Sequence, residues 1–216
     1  MEYTVASRLP LAVDQFQEQA ERLLRYQPTR ALAELWHASY RAAPAGSLPG
    51  FDPLDAAPLL PHLYLLERDG DQLRYRVSGE SVNELFGTSH TGKLLSDVVP
   101  AAIYDIVAPY FHDVLSSKVC IFKGYVVHRG HSPAEFERVM LPVQRDGGVQ
   151  ILAALSLSST ATLCRVDDLP PPPESGFHFT QIDLIAGTVA RHRVALKDIP
   201  VDALPFKSLS QMKRRA

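Results

Sequence analysis

The sequence predicts an α+β fold in which a helical crossover lies against a five-stranded antiparallel sheet, preceded by amphipathic helices. The first observation is a change of period. Leu73–Val77 alternates apolar and polar residues like a half-buried strand, and the apolar positions after Gly79 follow helical spacing. The second is a pair of Asp-Gly turns, at Asp69 and Asp146, which are typical of β-hairpins. The third is the order of the segments, because two strand-like runs, helices and three more strand-like runs follow one another.

The N-terminal part of the chain predicts two amphipathic helices, Val13–Tyr26 and Ala31–Ala42, each with an apolar stripe at helical spacing. Pro28 breaks the first helix, and Thr29 is placed to cap the second. We expect both helices to pack on the sheet of the same domain. A second interpretation of the same stripes, with Trp36 at their centre, is a homodimer interface.

A connector and the first two strands come next. Pro44–Pro61 contains prolines and glycines that prevent a long helix, and Asp52 is placed to cap a turn begun by Pro53. Leu63–Arg68 is rich in strand-forming residues, and the Asp-Gly turn after it returns the chain into the alternating strand.

The crossover and the last strands complete the pattern. A short helix around Val82–Phe86 should end at Gly87, which accepts a left-handed conformation. A longer helix is predicted over Ala101–Ser117, with Pro109 kinking or splitting it. Three strands that form a meander follow: Val119–His128, Glu135–Arg145 and Val149–Leu157.

This order of elements resembles a PAS domain over Ala31–Ser158, and the local sequence is similar to one bacterial branch of that family. The motifs that carry the resemblance are a helical tryptophan, two proline dipeptides, an arginine strand closing on glycine, two spaced glycines and a glutamate before a leucine-proline. They stand here as Trp36, Asp52-Pro53, Leu60-Pro61, Arg76 to Gly79, Gly87, Gly92, Glu137 and Leu141-Pro142. The resemblance implies a sensory or interaction fold but names no ligand.

The resemblance also implies an apolar cavity between the sheet and the crossover, where a small ligand would bind. Alternation and helical spacing give nine residues that would line it: Tyr75, Val77, Phe86, Tyr104, Val107, Phe111, Phe122, Met140 and Leu152. Ordinary core packing explains the same residues equally well. Arg76 should face outward by alternation, and it would need an anionic partner if it faced inward.

The sequence names no cofactor and leaves its identity unknown. A flavin photosensor of this family needs a cysteine on the short crossover helices, whereas Cys120 begins a strand and Cys164 lies beyond the domain. A haem sensor needs a histidine near the long helix, and His112 lies at the edge of that helix's apolar stripe. The polar run His128–Glu137 matches no closed zinc signature, so we predict no metal site.

The composition bounds the remaining alternatives. The chain has 216 residues, a formal net charge of −2 and no apolar run as long as a membrane span, so neither nucleic acid nor membrane is an expected partner. We expect a cytoplasmic protein because two cysteines suit a reducing compartment. The predicted segments are N-terminal helices (1–47), a PAS domain (48–158), and a Pro-rich linker with a tail (159–216). That tail is either solvated or docked on a partner or on the same sheet.

These observations predict a stand-alone PAS sensory or interaction module of bacterial signalling, without catalytic activity. It would bind a small molecule in its cavity, or relay a signal through contacts with a signalling partner, and form a homodimer. The alternatives are a structural adaptor with a filled core and, less favoured, an enzyme that uses the cavity. The sequence contains no nucleophile elbow, phosphate-binding loop or dinucleotide fingerprint.

Overall fold

The computed structural model describes residues 9–99, 101–126, 134–157 and 176–195. Its helices are α1 (Leu9–Leu23), α2 (Gln27–Ala42), α3 (Glu80–Phe86), α4 (Leu95–Val98) and α5 (Ala101–Leu115). A 3₁₀ helix, Ala57–His62, leads into the first strand. The strands are β1 (Leu63–Asp69), β2 (Gln72–Ser78), β3 (Lys118–Val126), β4 (Ala134–Arg145), β5 (Gly148–Leu157), β6 (Gly176–Asp183) and β7 (Thr188–Ala195).

The strands form one antiparallel sheet in the order β2-β1-β5-β4-β3-β6-β7. The predicted α+β class and the β3-β4-β5 meander are therefore confirmed. The predicted count of five strands is wrong, because β6 and β7 form a hairpin that pairs with β3. The part of the predicted tail from Gly176 to Ala195 docks on the same sheet, which is one of the interpretations given above. The Pro-rich linker and residues 196–216 lie outside the described residues.

Two apolar cores cover the two faces of the sheet. The crossover core lies between the sheet and α3 to α5, and its large members include Tyr64, Leu66, Tyr75, Phe111, Phe122, Phe136, Met140 and Phe179. The hairpin core lies between the other face and the α1–α2 hairpin, and its members include Phe16, Leu32, Trp36, Leu65, Ile121, Leu141, Leu152 and Ile182. Because both faces are covered, the central strands are apolar on both sides.

The N-terminal helices pack on the sheet of their own chain, as predicted. Trp36 fixes this contact because its Nε1 donates a hydrogen bond of 2.8 Å to the carbonyl oxygen of Pro142 in β4. The predicted cap at Thr29 is wrong: Tyr26 occupies the N-cap position, and the Thr29 hydroxyl lies against the carboxylate of Glu137. The apolar stripes of both helices are therefore used within the chain.

The predicted turns are confirmed. Asp146 and Gly147 both have positive φ, 50° and 80°, which is the conformation of a two-residue hairpin turn. Gly87 ends α3 at φ 71°, and the Asp52 carboxylate accepts a hydrogen bond of 2.9 Å from the Leu54 amide. Of the two effects predicted for Pro109, splitting does not occur, since Pro109 lies inside the continuous helix α5.

The glycine that closes β2 is required by a close approach of two backbone segments. A Cβ atom on Gly79 would lie 2.3 Å from the carbonyl oxygens of both Leu60 and Pro61. The Gly79 amide also donates a hydrogen bond of 2.8 Å to the Leu63 carbonyl oxygen. The leucine-proline pair and the glycine of the sequence motif are therefore two sides of one contact between the 3₁₀ helix and β2.

Candidate functional site

A buried arginine lies in the crossover core. Arg138 of β4 is only 8% exposed. The central carbon of its guanidinium is 5.5 Å from the ring centre of Tyr64, 5.4 Å from that of Phe111 and 5.6 Å from that of Phe122. These rings come from β1, α5 and β3. A cation near aromatic faces at this distance is attracted to them, so the three rings form a cage around one positive charge.

The charge of Arg138 is not balanced within the described part of the chain. No described residue bonds to its Nε. The ion pairs of the described residues leave Arg138 out. A buried charge without a counter-charge is costly, because three aromatic rings replace only part of the hydration that is lost.

The ionisable neighbours of Arg138 stay neutral at pH 7. Burial raises the pKa of the Tyr64 hydroxyl and of the Cys120 thiol far above their usual values, although the nearby Arg138 charge opposes the shift. Burial likewise raises the pKa of Tyr75 to about 12. None of these groups therefore supplies a negative charge to Arg138.

His90 is a further ionisable residue near these groups, and it lies toward the edge of the sheet. Its ring centre lies 5.2 Å from that of Tyr75 and 4.6 Å from that of Phe86. Burial, followed by the charges of Lys93 and Arg138, lowers the pKa of His90 to about 4, so the ring is neutral at pH 7. Its Nδ1 bonds to no described residue, and the same is true of the Tyr64 hydroxyl.

The opposite face of β4 carries a second buried charge, and this one has partners. Glu137 is fully buried on the side of the α1–α2 hairpin. Its carboxylate accepts hydrogen bonds from the backbone amides of Arg25, at 2.9 Å, and Tyr26, at 3.2 Å, and it also contacts the Thr29 hydroxyl. A carboxylate at the N-terminus of α2 is favourable because the first amides of a helix have no partner within the helix.

Lys123 of β3 is the partner of Glu137 in the strand register, and its Nζ lies 3.4 Å from Glu137 Oε2. The same ammonium donates a hydrogen bond of 2.8 Å to the Leu23 carbonyl oxygen at the end of α1. Lys123 and Glu137, here called the hairpin clamp, thus hold the end of α1 and the start of α2. Each charge has the sign that its helix terminus favours.

Comparison with known families agrees with this architecture. A family model described as the PAS domain matches residues 24–156, which is more than half of the chain. The chain belongs to the PAS domain family. The match runs from the turn before α2 into β5, so β6 and β7 lie outside it. A search of curated protein sequences finds no match. No helix among the described residues is long and apolar enough to cross a membrane.

Most of the predicted lining residues lie on the crossover side of the PAS sheet. Those buried in the crossover core are Tyr75, Val107, Phe111, Phe122 and Met140, and those packed at its margin are Phe86 and Tyr104. The structure therefore brings seven of the nine together, around the same core that holds Arg138.

The other two predicted lining residues, Val77 and Leu152, do not lie in the crossover core. Val77 is 51% exposed, because a β-bulge changes the phase of β2. Leu65 pairs with Val77 while Leu66 pairs with Tyr75, which leaves Arg76 as the extra residue. Beyond the bulge, Val77 is on the side of Leu65, at the sheet edge. Leu152 also pairs with Leu65 and lies in the hairpin core.

The outward orientation predicted for Arg76 is confirmed. Its side chain is half exposed, and its Nε lies 3.4 Å from Glu67 Oε2. The sequence thus suggested Arg76 as the arginine that could face inward, but the arginine that faces the crossover core is Arg138. The signal that could have found the right one is the pair Glu137-Arg138 inside an otherwise apolar run. Successive residues of a central strand face opposite sides, so both charges had to be buried.

The candidate residues for binding a cofactor or a metal are Cys120, Cys164, His112 and the run from His128. Cys120 is buried in the crossover core at the start of β3, and His112 is half-buried on α5. Cys164 and most of the run from His128 lie outside the described residues. The described residues bring together no group of three or more histidine, cysteine or acidic side chains that could hold a metal.

Proposed function

We propose that this PAS protein is a sensory module that binds a small molecule in its crossover core and relays the bound state to the α1–α2 hairpin. The observation that carries the proposal is the pair Glu137-Arg138 in β4. These successive residues place opposite buried charges on the two faces of one strand. The Glu137 carboxylate accepts hydrogen bonds from the turn between α1 and α2. Arg138 faces the crossover core, and its charge is unbalanced there.

A ligand at Arg138 would act on the hairpin through the backbone of β4. A ligand that displaces the backbone at Arg138 also moves the peptide unit that Arg138 shares with Glu137, and Glu137 contacts the start of α2 directly. A ligand can change the position of the α1–α2 hairpin only if it binds one arrangement of the helices better than the other. The readout is therefore a change in how firmly residues 9–42 are held on the sheet.

Three buried polar atoms favour a ligand over a structural adaptor with a filled core. Arg138 Nε, the Tyr64 hydroxyl and His90 Nδ1 all lie on the crossover side without a described partner. A buried polar atom without a hydrogen bond costs about 1–3 kcal/mol, and a polar small molecule would remove such costs. An enzyme stays the less favoured alternative. The Cys120 thiol is protonated at pH 7 because burial raises its pKa, and it is therefore a poor nucleophile.

Native mass spectrometry of the purified full chain tests the proposal by showing whether a small molecule is retained. Thermal melts of wild type and Val107→Trp, with and without metabolite extract, give a second test. If a ligand occupies the core, the variant should lose the metabolite-dependent shift at little cost to stability. A filled core should instead be overpacked by about 1–3 kcal/mol and show no shift in the wild type. Ile185→Trp, at an exposed turn position, controls for the added ring.

Homodimerisation, a signalling partner and a cytoplasmic location stay predictions. The apolar stripes of α1 and α2 are buried against the sheet, so a dimer through these helices would use their outer, more polar faces. Sedimentation of the full chain across a concentration series measures this association directly. A monomer throughout the micromolar range contradicts the dimer.

A further inference from the structure

We infer that the ligand of the crossover core is an organic monocarboxylate and that Arg138 binds its carboxylate, an inference which rests on the proposed function. The geometry points to this class because a guanidinium presents donors in a planar fork that matches the two oxygens of a carboxylate. Nε is one arm of that fork, and it has no described partner.

The charge of the site selects a single negative charge. Arg138 contributes one positive charge, and the buried neighbours Tyr64, Tyr75 and Cys120 stay neutral. His90 is also uncharged at pH 7, since its pKa is lowered to about 4. A monocarboxylate brings the core to neutrality. A phosphate dianion or a dicarboxylate would leave a negative charge buried among aromatic rings, which is unfavourable.

The surroundings of Arg138 indicate the rest of the molecule. The rings of Tyr64, Phe111 and Phe122 enclose the guanidinium, and the adjoining core is formed by aliphatic and aromatic side chains. The Tyr64 hydroxyl has no described partner, so it is available as a further donor to the ligand. We therefore expect an apolar or aromatic body beyond the carboxylate.

The experiment uses the full chain, unfolded and refolded to remove bound molecules, and isothermal titration with a graded series of probes. The series runs from acetate through hexanoate and benzoate to indole-3-acetate, each with its neutral amide, and inorganic phosphate serves as the dianion control. We expect saturable binding of the larger carboxylates. The matching amides should bind at least tenfold more weakly, because a hydrogen bond to a charged group is lost.

Two variants connect the binding to Arg138. Arg138→Met keeps the apolar stem and removes the charge, and Arg138→Lys keeps the charge but not the fork. Both should weaken carboxylate binding at least tenfold. Arg138→Met should also raise the melting temperature of the ligand-free protein, because it removes an unbalanced buried charge. Arg41→Met, at an exposed ion pair with Asp14, is the matched control; it should leave the carboxylate affinity unchanged and should not raise the melting temperature.

The outcomes separate this inference from the proposed function. Equal affinity of carboxylate and amide, unchanged carboxylate affinity in Arg138→Met, or no carboxylate binding to the wild type overturns the inference. If native mass spectrometry then shows a neutral or cationic molecule in the wild type, the proposed function stands and the ligand class is wrong. If no molecule is retained and Val107→Trp behaves as an overpacked core, both fail.

Discussion

Gly79 occupies a position where the backbone of β2 approaches the 3₁₀ helix more closely than any side chain allows. The atoms that a Cβ would meet are the carbonyl oxygens of Leu60 and Pro61, which are backbone atoms and cannot rotate away. Gly79→Ala should therefore lower the free energy of unfolding by about 1–3 kcal/mol, as overpacking does elsewhere. Urea unfolding measures the loss.

Gly148→Ala is the matched control for this prediction. Gly148 begins β5, and a Cβ there would meet nothing within 4 Å. It should change stability by less than about 0.5 kcal/mol. Equal effects of the two substitutions would show that the close approach at Gly79 is not what requires glycine.

His90 makes stability depend on pH. Its pKa in the folded state is about 4, below the ordinary value of 6.5, so the unfolded chain binds a proton first as the pH falls. The protein should therefore lose stability between about pH 6.5 and pH 4. His90→Gln should reduce the difference in unfolding free energy between pH 7.5 and pH 5 by about 1–2 kcal/mol. Urea midpoints at the two pH values measure it.

His37 acts with the same sign, because burial and the Arg41 charge lower its pKa as well. His37→Gln is therefore the comparison variant, and since that ring is only partly buried it should remove less of the pH dependence. A pH profile of His90→Gln identical to that of the wild type would contradict the assignment.

At the scale of secondary-structure elements, the hairpin clamp determines how α1 and α2 are held. Glu137→Gln removes the negative charge from a fully buried site and breaks its ion pair with Lys123. Breaking a buried ion pair from one side costs about 3–5 kcal/mol. We expect a loss of this order and faster hydrogen exchange of the amides of residues 9–42, measured by mass spectrometry.

Two comparisons test whether the clamp acts as a pair. The double variant Lys123→Met with Glu137→Met should be less destabilised than Glu137→Gln, because it replaces both members of the buried ion pair by apolar side chains. Arg41→Met removes an exposed ion pair of the same hairpin and should cost less than about 1 kcal/mol. If exchange accelerates equally in Arg41→Met and Glu137→Gln, the clamp does not hold the hairpin.

The elements also show what the sequence could predict. Periodicity located α1, α2, α3 and α5 and the five strands of the meander and first hairpin, since each of these signals is local. It did not locate the short helix α4 or the 3₁₀ helix. It could not assign the faces of β5, whose residues Gln150–Ser156 are all buried, so Leu152 was placed on the wrong side. The bulge at Arg76 likewise depends on pairing with β1, which no local pattern records.

At the scale of the whole molecule, we expect the tail hairpin β6–β7 to unfold in the same cooperative unit as the rest of the sheet. The Phe179 ring stacks 4.3 Å from Phe122 of β3 and 3.7 Å from Tyr110 of α5. Phe179→Ala should cost about 3–5 kcal/mol. Far-UV circular dichroism and the fluorescence of Trp36, the single tryptophan, should report one common shift of the midpoint.

Ile185→Ala provides the control within the same hairpin, since Ile185 is an exposed turn residue. It should leave both midpoints nearly unchanged. If Phe179→Ala shifted the circular dichroism transition but not the Trp36 transition, the tail would be a separate folding unit.

The place of β6 in the sheet has a consequence for synthesis of the protein on the ribosome. β3 ends at Val126, but its second neighbour in the sheet begins only at Gly176. At about 5–20 residues per second, the 50 or so intervening residues take roughly 3–10 s to emerge. Throughout that delay the nascent chain presents an open strand, which a neighbouring nascent chain on the same messenger is equally able to fill.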